Sequence, residues 1–268
     1  MTSVLANDDP TALPLGAEDW VRDFERASEE LLAARLLTRR IDYKYLISLG
    51  DLPGLLASLR GEHAVLSSGR AWAGYRTRYY DTDGLRSFHD HRRGVPRRFK
   101  LRHRDYLDRQ VRFFEVKHNT NRGGTRKVRL ERPFTDGFPR LGPECFELLR
   151  AELPGGVDPL CATVDNHFFR LSLLGIRAVE RVTVDIGMRL WARGMEARLP
   201  ALAIVEVKTA APRHLSPTLN ALTRAGMRPG GMSKYCAALA LLSEQPAWFP
   251  KLRRRIAALS PLEVRPAR

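Results

Sequence analysis

The sequence predicts an α+β fold: a closed antiparallel β-barrel with flanking helices and a basic, water-filled interior. Three observations carry this. Residues 72–131 lack a long helical period and read as short strands separated by turn signals. Charges recur at alternate positions in six segments, so each set lies on one strand face. The formal net charge is +15, far enough from neutral to imply an anionic partner.

Taken in order, residues 1–17 carry Pro10 and Pro14 and read as a flexible lead-in. Residues 18–250 form the expected single domain, because no linker or internal repeat divides them. Trp20, Phe24, Leu31, Leu32 and Leu36 recur at roughly helical spacing and predict a helix over 19–37, with a second over 51–59. The strands follow as TRYYDT, RRFKLRHRDY, VRFFEVKH and TRKVRLE. Turns fall at Asp83-Gly84 and at Asn121-Arg122-Gly123-Gly124. Residues 143–152 read as a helix, while 157–175 mix helical and apolar patterns. RAVERVTVDIGMRLWA and LAIVEVKT return to strands. A last helix is expected over 233–243, after the Pro229-Gly230-Gly231 breaker, and the arginine-rich 251–268 as a frayed tail.

The six charged sets are Arg40, Asp42 and Lys44; Lys100, Arg102 and Arg104; Glu115 and Lys117; Lys127 and Arg129; Arg181, Thr183 and Asp185; and Glu206 and Lys208. A solvated sheet face accounts for any one of them. Together they are harder to place on an open sheet. Fifteen Lys/Arg against four Asp/Glu lie between Arg86 and Arg129, and like charges on paired strands repel. Turned inward in a closed barrel, the same faces make a tunnel that selects polyanions, with the apolar faces packed outward on helices.

Lysine usage points to the same segments. Only seven of the forty-five basic residues are lysine, and all except Lys251 sit in short charged motifs. Lysine is a compact, rotatable point charge and does not substitute freely for arginine at a binding site.

Other classes are disfavoured. Cys145, Cys161 and Cys236 are widely spaced, without a CxxC or His/Cys cluster, which argues against zinc and a disulfide framework. Asp8 and Asp9 stand where a signal peptide needs basic residues, and no apolar run is long enough to span a bilayer. A cytoplasmic, reduced setting is the expectation. His89, His91 and His103 lack carboxylate or thiol companions and read as phosphate contacts or solvated strand residues. Trp191, Trp248 and the aromatics near Phe168 read as core.

The motifs resemble the VTC domain, the polyphosphate polymerase domain of vacuolar transporter chaperone proteins, in the triphosphate tunnel metalloenzyme superfamily. The resemblance rests on Arg40-Ile41-Asp42-Tyr43-Lys44-Tyr45 and Tyr79-Tyr80-Asp81-Thr82. It continues through Lys100, Arg102, Arg104 and Tyr106, then Glu115 with Lys117, and Lys127 with Arg129. Arg181, Thr183 and Asp185 follow, then Glu206 with Lys208, and Ser233-Lys234-Tyr235 closes the series. These span residues 38–242 in family order. Asp42 departs from the pattern, standing where the family usually has Glu.

The resemblance implies an eight-stranded tunnel that binds ATP with a divalent metal, Mn²⁺ or Mg²⁺. The γ-phosphoryl group would pass to a growing inorganic polyphosphate chain. Arg102, Arg104, Lys127, Arg181, Lys208 and Lys234 would hold nucleotide and transferring phosphates. Arg40, Lys44, Lys100, Lys117, Arg129, Tyr106 and Tyr235 would line the phosphate path. Glu206 is the implied metal carboxylate and Glu115 the second candidate, with simple ion pairing as its alternative. ATP and polyphosphate or pyrophosphate are the expected partners. Nothing fits a nucleic-acid-binding pattern, and a membrane partner and the oligomeric state stay open. Hydrolysis of a triphosphate and polyanion binding without turnover are the competing functions; Arg40 in place of the first Glu of an E-x-E-x-K set favours the polymerase.

Overall fold

Side-chain alternation fixes the faces of the sheet, and strand pairing then fixes which charges meet. The computed structural model describes residues 13–35, 40–67, 69–119, 124–153, 156, 159–243 and 249–267. The strands are β1 (Ile41–Ser48), β2 (His63–Val65), β3 (Trp72–Thr82), β4 (Phe99–Tyr106), β5 (Val111–Asn119), β6 (Thr125–Arg132), β7 (Leu160–Gly175), β8 (Glu180–Ala192), β9 (Met195–Leu199), β10 (Leu202–Thr209) and β11 (Glu263–Pro266). The helices are α1 (Glu29–Ala34), α2 (Leu52–Ala57), α3 (Arg86–Arg93), α4 (Pro143–Glu152), α5 (Pro217–Arg224), α6 (Lys234–Leu241) and α7 (Pro250–Leu259).

Eight strands form one continuous antiparallel path in the order β1-β10-β8-β7-β3-β4-β5-β6. Among the described residues no pairing joins β6 back to β1, so the expected closure of the barrel is not observed. Closure would set β6, with Arg126, Lys127, Arg129 and Arg132, against a strand bearing Lys44, and opposed like charges destabilise a ladder. The sheet nevertheless curls strongly. Lys44 on β1 acts electrostatically on Lys117 of β5, the first and seventh strands of the path.

The apolar faces pack as the alternation predicts. Tyr45, Val182, Val184, Val205 and Val207 are buried against α2 and α5 residues such as Leu52, Leu56, Leu219 and Leu222. Leu101, Phe114 and Val116 pack against Cys145 and Leu149 of α4. Helix α6 is different, because residues 235–241 are all buried. It packs with Val164, Met188, Leu190 and Ile204, so a helix buried from its second residue onward lies against the sheet beside the basic faces.

Several elements differ from expectation. The predicted 19–37 helix reduces to a 3-10 turn at Asp19–Val21 and the short α1; Leu36 lies outside the described residues. Helix α3 interrupts the strand-rich region, and 157–175 is largely the sixteen-residue β7. The tail expected to fray supplies α7 and β11, the latter paired with β9. Of the lead-in, residues 1–12 lie outside the described residues, whereas Ala17 is buried and its carbonyl accepts from Trp72 Nε1 at 2.9 Å. Trp191 is half-buried beside Arg189, and Trp248 lies outside the described residues, as does most of the predicted Asn121–Gly124 turn. Among the described residues no helix is long and apolar enough to cross a membrane.

Candidate functional site

Antiparallel register brings the charged faces of β1, β10, β8, β7, β3, β4, β5 and β6 side by side. Lys44 pairs with Glu206, Asp42 with Lys208, and Lys208 with Arg181 across β1, β10 and β8. Arg102 stands between Tyr79 and Glu115, Glu115 opposite Arg129, and Lys117 opposite both Lys100 and Lys127. The sets read from sequence therefore meet on one surface.

Besides Asp42, which faces Arg40 and Lys208, three carboxylates sit among these cations, and each is held by two of them. Glu115 is fully buried, accepting from Arg102 Nε at 2.6 Å and from Lys127 Nζ. Burial opposes its ionisation, but Arg102, Arg104 and Lys127 hold the carboxyl well below the usual range. Asp185 accepts from Arg170 through two bonds, 2.6 and 2.8 Å, and from Lys234. Its carboxyl is likewise held low, by Arg170 and Lys234 against burial. Glu206 lies 2.7 Å from Lys208 Nζ and 3.4 Å from Lys44 Nζ. Against the pull of burial, those two lysines bring it down to about 2.

Other cations have no carboxylate partner among the described residues. Arg104 is buried, donates to Thr77 Oγ1 at 3.3 Å, and lies over the rings of Tyr75 and Phe168. Arg181 and Lys117 make no ion pair among the described residues. Burial and neighbouring Lys44, Arg102 and Lys100 push the Lys117 ammonium down to about 8. Burial also lowers Lys100, Arg104 and Arg181. Arg129 is exposed and lies over Phe113 at 4.6 Å.

Helix α6 directs its N-terminus at this surface. Ser233 caps it, accepting from Cys236 N at 3.4 Å, and the same hydroxyl accepts from Lys100 Nζ at 2.9 Å. Lys234 reaches Asp185 and stands 4.1 Å from the centre of the Phe168 ring. Helix α3 adds His91, whose Nδ1 is 3.4 Å from Lys100 Nζ. Burial and the surrounding lysines and Arg98 push that imidazole down to about 4, so it stays neutral.

Most predicted residues thus converge, with two corrections. Tyr235 is buried in the apolar cluster of α6, and its hydroxyl donates to Asp81, so it offers nothing to a phosphate. Glu115 is a poor metal ligand because both its oxygens are already taken by cations. Glu206 is partly open and fits a divalent ion carried mainly by phosphate oxygens. Among the described residues no cluster of three His, Cys, Asp or Glu could hold a metal by itself. Arg40 pairs with Asp42 at 3.3 Å, and Tyr106 packs on Tyr75.

Sequence reasoning missed Arg170; Phe168 is fully buried, as its reading as core expects, and also carries cations on its ring. Arg170 holds Asp185, and Phe168 lies beneath Arg104, Arg170 and Lys234. The signal was the alternation Phe168, Arg170, Ser172, hidden within an apolar run. His103 is buried and bonded to Tyr80 at 2.8 Å, so it is neither solvated nor a phosphate contact.

Residues 39–138 match the VTC domain family model. The later motifs, from Arg181 to Tyr235, lie outside that match; those on β8 and β10 are joined to it by strand pairing, and Ser233-Lys234-Tyr235 lies at the start of α6. No curated protein matches the chain significantly. Among solved structures, a candidate adenylate cyclase of Bacillus halodurans aligns at 15% identity and TM-score 0.48, covering 72% of this chain and 93% of that one. The PH1012 protein of Pyrococcus horikoshii OT3 aligns at 12% identity and TM-score 0.42, covering 75% and 99%. A candidate adenylyl cyclase of Hippeastrum, described as having a dominant triphosphatase activity, aligns at 14% identity and TM-score 0.44, covering 75% and 96%. Residues 39–138 are thus similar to the VTC domain, and paired strands continue that segment into one antiparallel sheet with a basic face.

Proposed function

We propose that this protein is an ATP-dependent polyphosphate polymerase. The observation that carries the reading is the set of interior cations without a carboxylate partner: Lys100, Arg104, Lys117 and Arg181. Burying unpaired charge is costly, and a phosphate chain is the anion that would neutralise several such groups at once.

In the reaction a terminal oxygen of polyphosphate attacks the γ-phosphorus of ATP. A new P–O bond forms, the β–γ bridging bond breaks, and ADP leaves with that electron pair. Such transfer requires alignment and charge neutralisation more than covalent help from the protein. Arg104 and Arg181 are free to grip phosphate oxygens bidentately. Arg102, Lys127, Lys208 and Lys234 contribute while tethered to Glu115, Glu206 and Asp185, which keeps their geometry fixed. Lys44, Lys100 and Lys117 form the next stretch of the path, and Arg40, Arg129 and Tyr106 lie farther along it. Glu206 is the residue that would hold Mn²⁺ or Mg²⁺, and the ion would offset phosphate charge. Ser233 and Asp185 position Lys100 and Lys234.

Purified protein given ATP and Mn²⁺ should make long polyphosphate and ADP. The Glu206→Ala and Lys208→Ala variants should lose polymer while keeping native circular dichroism. Release of phosphate without polymer would sink the polymerase reading in favour of triphosphate hydrolysis. Binding of polyphosphate with no turnover would leave a binding module.

A further inference from the structure

We propose that the basic path continues outside the sheet, onto a rim of arginines that holds polyphosphate too long for the interior. Arg98, between α3 and β4, and Arg255 of α7 are its fixed members, and exposed Arg97 and Arg228 extend it. The inference rests on the reading that the interior binds polyphosphate, and it names a second binding surface for the same polymer.

The rim begins where the interior lysines gather. Lys44, Lys100, Lys117 and Arg98 all bear on the imidazole of His91, so cations from β1, β4, β5 and the α3–β4 turn surround one ring. Arg255 approaches Lys44 from another element. The Gly230 N–H donates to the Lys44 carbonyl at 2.7 Å, and the Arg255 guanidinium lies over that same glycine.

Both fixed arginines are held by carbonyl oxygens. Arg98 Nη1 donates to Val95 at 2.7 Å, in the turn that begins where Gly94, φ 72°, ends α3. Arg255 donates to the carbonyls of Arg228 at 2.6 Å and Pro229 at 3.2 Å. Gly230 leaves space for this guanidinium because it has no Cβ. Such bonds fix the side chains but leave their charge uncompensated, so phosphate can be gripped at a smaller ordering cost.

No carboxylate pairs with Arg97, Arg98, Arg228 or Arg255 among the described residues. Helix α7 carries no acidic residue, and Asp90 of α3 is paired with Arg93 at 2.8 Å. Around Arg40 and Lys208, by contrast, Asp42 faces both cations. Uncompensated charge therefore continues outward beside the lysines. Polyphosphate, with a negative charge on every phosphate, is the extended anion that complements such a run of separate cations.

The test compares tripolyphosphate with long-chain polyphosphate by calorimetry, in wild type and in the Arg97→Glu/Arg228→Glu double variant. Both side chains are exposed, so native circular dichroism should be kept. Long-chain affinity should fall several-fold and become less sensitive to salt, while tripolyphosphate binding stays the same. Arg97→Ala alone should show a smaller loss in the same direction. Unaltered long-chain affinity in the double variant, with tripolyphosphate still bound, would overturn the inference while sparing the function proposed above. Equal loss for the two ligands would also overturn it, by placing these residues in the interior site. Failure of wild type to bind either ligand would overturn both readings. Single-stranded RNA that binds wild type more tightly than polyphosphate, and loses that affinity in the variant, would overturn it in favour of a nucleic-acid surface.

Discussion

The Tyr235 hydroxyl donates to Asp81 Oδ2, tying α6 to the start of α3. The same carboxylate accepts from the backbone N–H groups of Thr82, Ser87 and Phe88 at 2.8, 3.0 and 3.1 Å. Those of Ser87 and Phe88 are donors that the first turn of α3 cannot satisfy internally. Tyr235→Phe should therefore lose about 1–3 kcal/mol of unfolding free energy in urea, the cost of an unmet buried hydrogen bond. Polymer synthesis per folded molecule should be unchanged. A loss of activity without a loss of stability would restore Tyr235 to the phosphate path.

Glu115→Gln should destabilise the fold more. It strips the partner from Arg102, and removing one member of a buried ion pair costs about 3–5 kcal/mol. The lower end is expected, because Lys127 is 39% exposed and screened by solvent. The carboxyl is depressed in the folded state. Its contribution is therefore present above its unfolded value of about 4.3 and lost on acidification. Acid unfolding followed by circular dichroism should be less steep in the variant than in wild type.

Lys117→Met should make the ligand-free protein more stable at neutral pH, on the order of 1 kcal/mol, by removing a half-buried cation among Lys44, Arg102 and Lys100. Folding lowers this lysine to about 8, so wild-type stability gains between about pH 8 and 10, where the unfolded chain holds the extra proton. The variant should lack that gain. Tripolyphosphate should stabilise wild type by about 2.7 kcal/mol at a hundredfold excess over Kd, and the variant should show weaker binding in the same thermal scans.

Gly231→Ala probes a close approach rather than a charge. A Cβ there would fall 2.4 Å from the Cβ of Lys44 and 2.7 Å from its Cδ. Gly230 N also donates to the Lys44 carbonyl at 2.7 Å, so the segment has little room to retreat. The variant should displace Lys44 from Glu206 and weaken tripolyphosphate binding several-fold by calorimetry. Unchanged affinity would place Lys44 outside the phosphate path.

Strand parity made much of the site legible. Lys100, Arg102 and Arg104 could be assigned to one face from spacing alone, and Val205 and Val207 to the other. Helix α4 was readable because Pro143 and the apolar spacing after it mark a start and a face. Arg170 was not, because β7 is apolar on both sides of it and its pattern resembles a buried helix as much as a strand. Tyr235 was assigned by adjacency to Lys234. Successive helical residues point about 100° apart, so one faces the cations and the other the core.

By itself the sequence determined the composition of the basic face, since two-residue periodicity is a property of any extended chain. It also placed most of the strands in order and marked six lysines as members of one set. Only the tertiary structure decided which charges are neutralised. Pairing across the sheet commits Glu115 and Asp185 to particular cations and leaves Arg104, Arg181 and Lys117 without a carboxylate. That distinction depends on distances of a few ångströms between residues far apart in the chain, where Coulomb energy changes steeply with separation and burial.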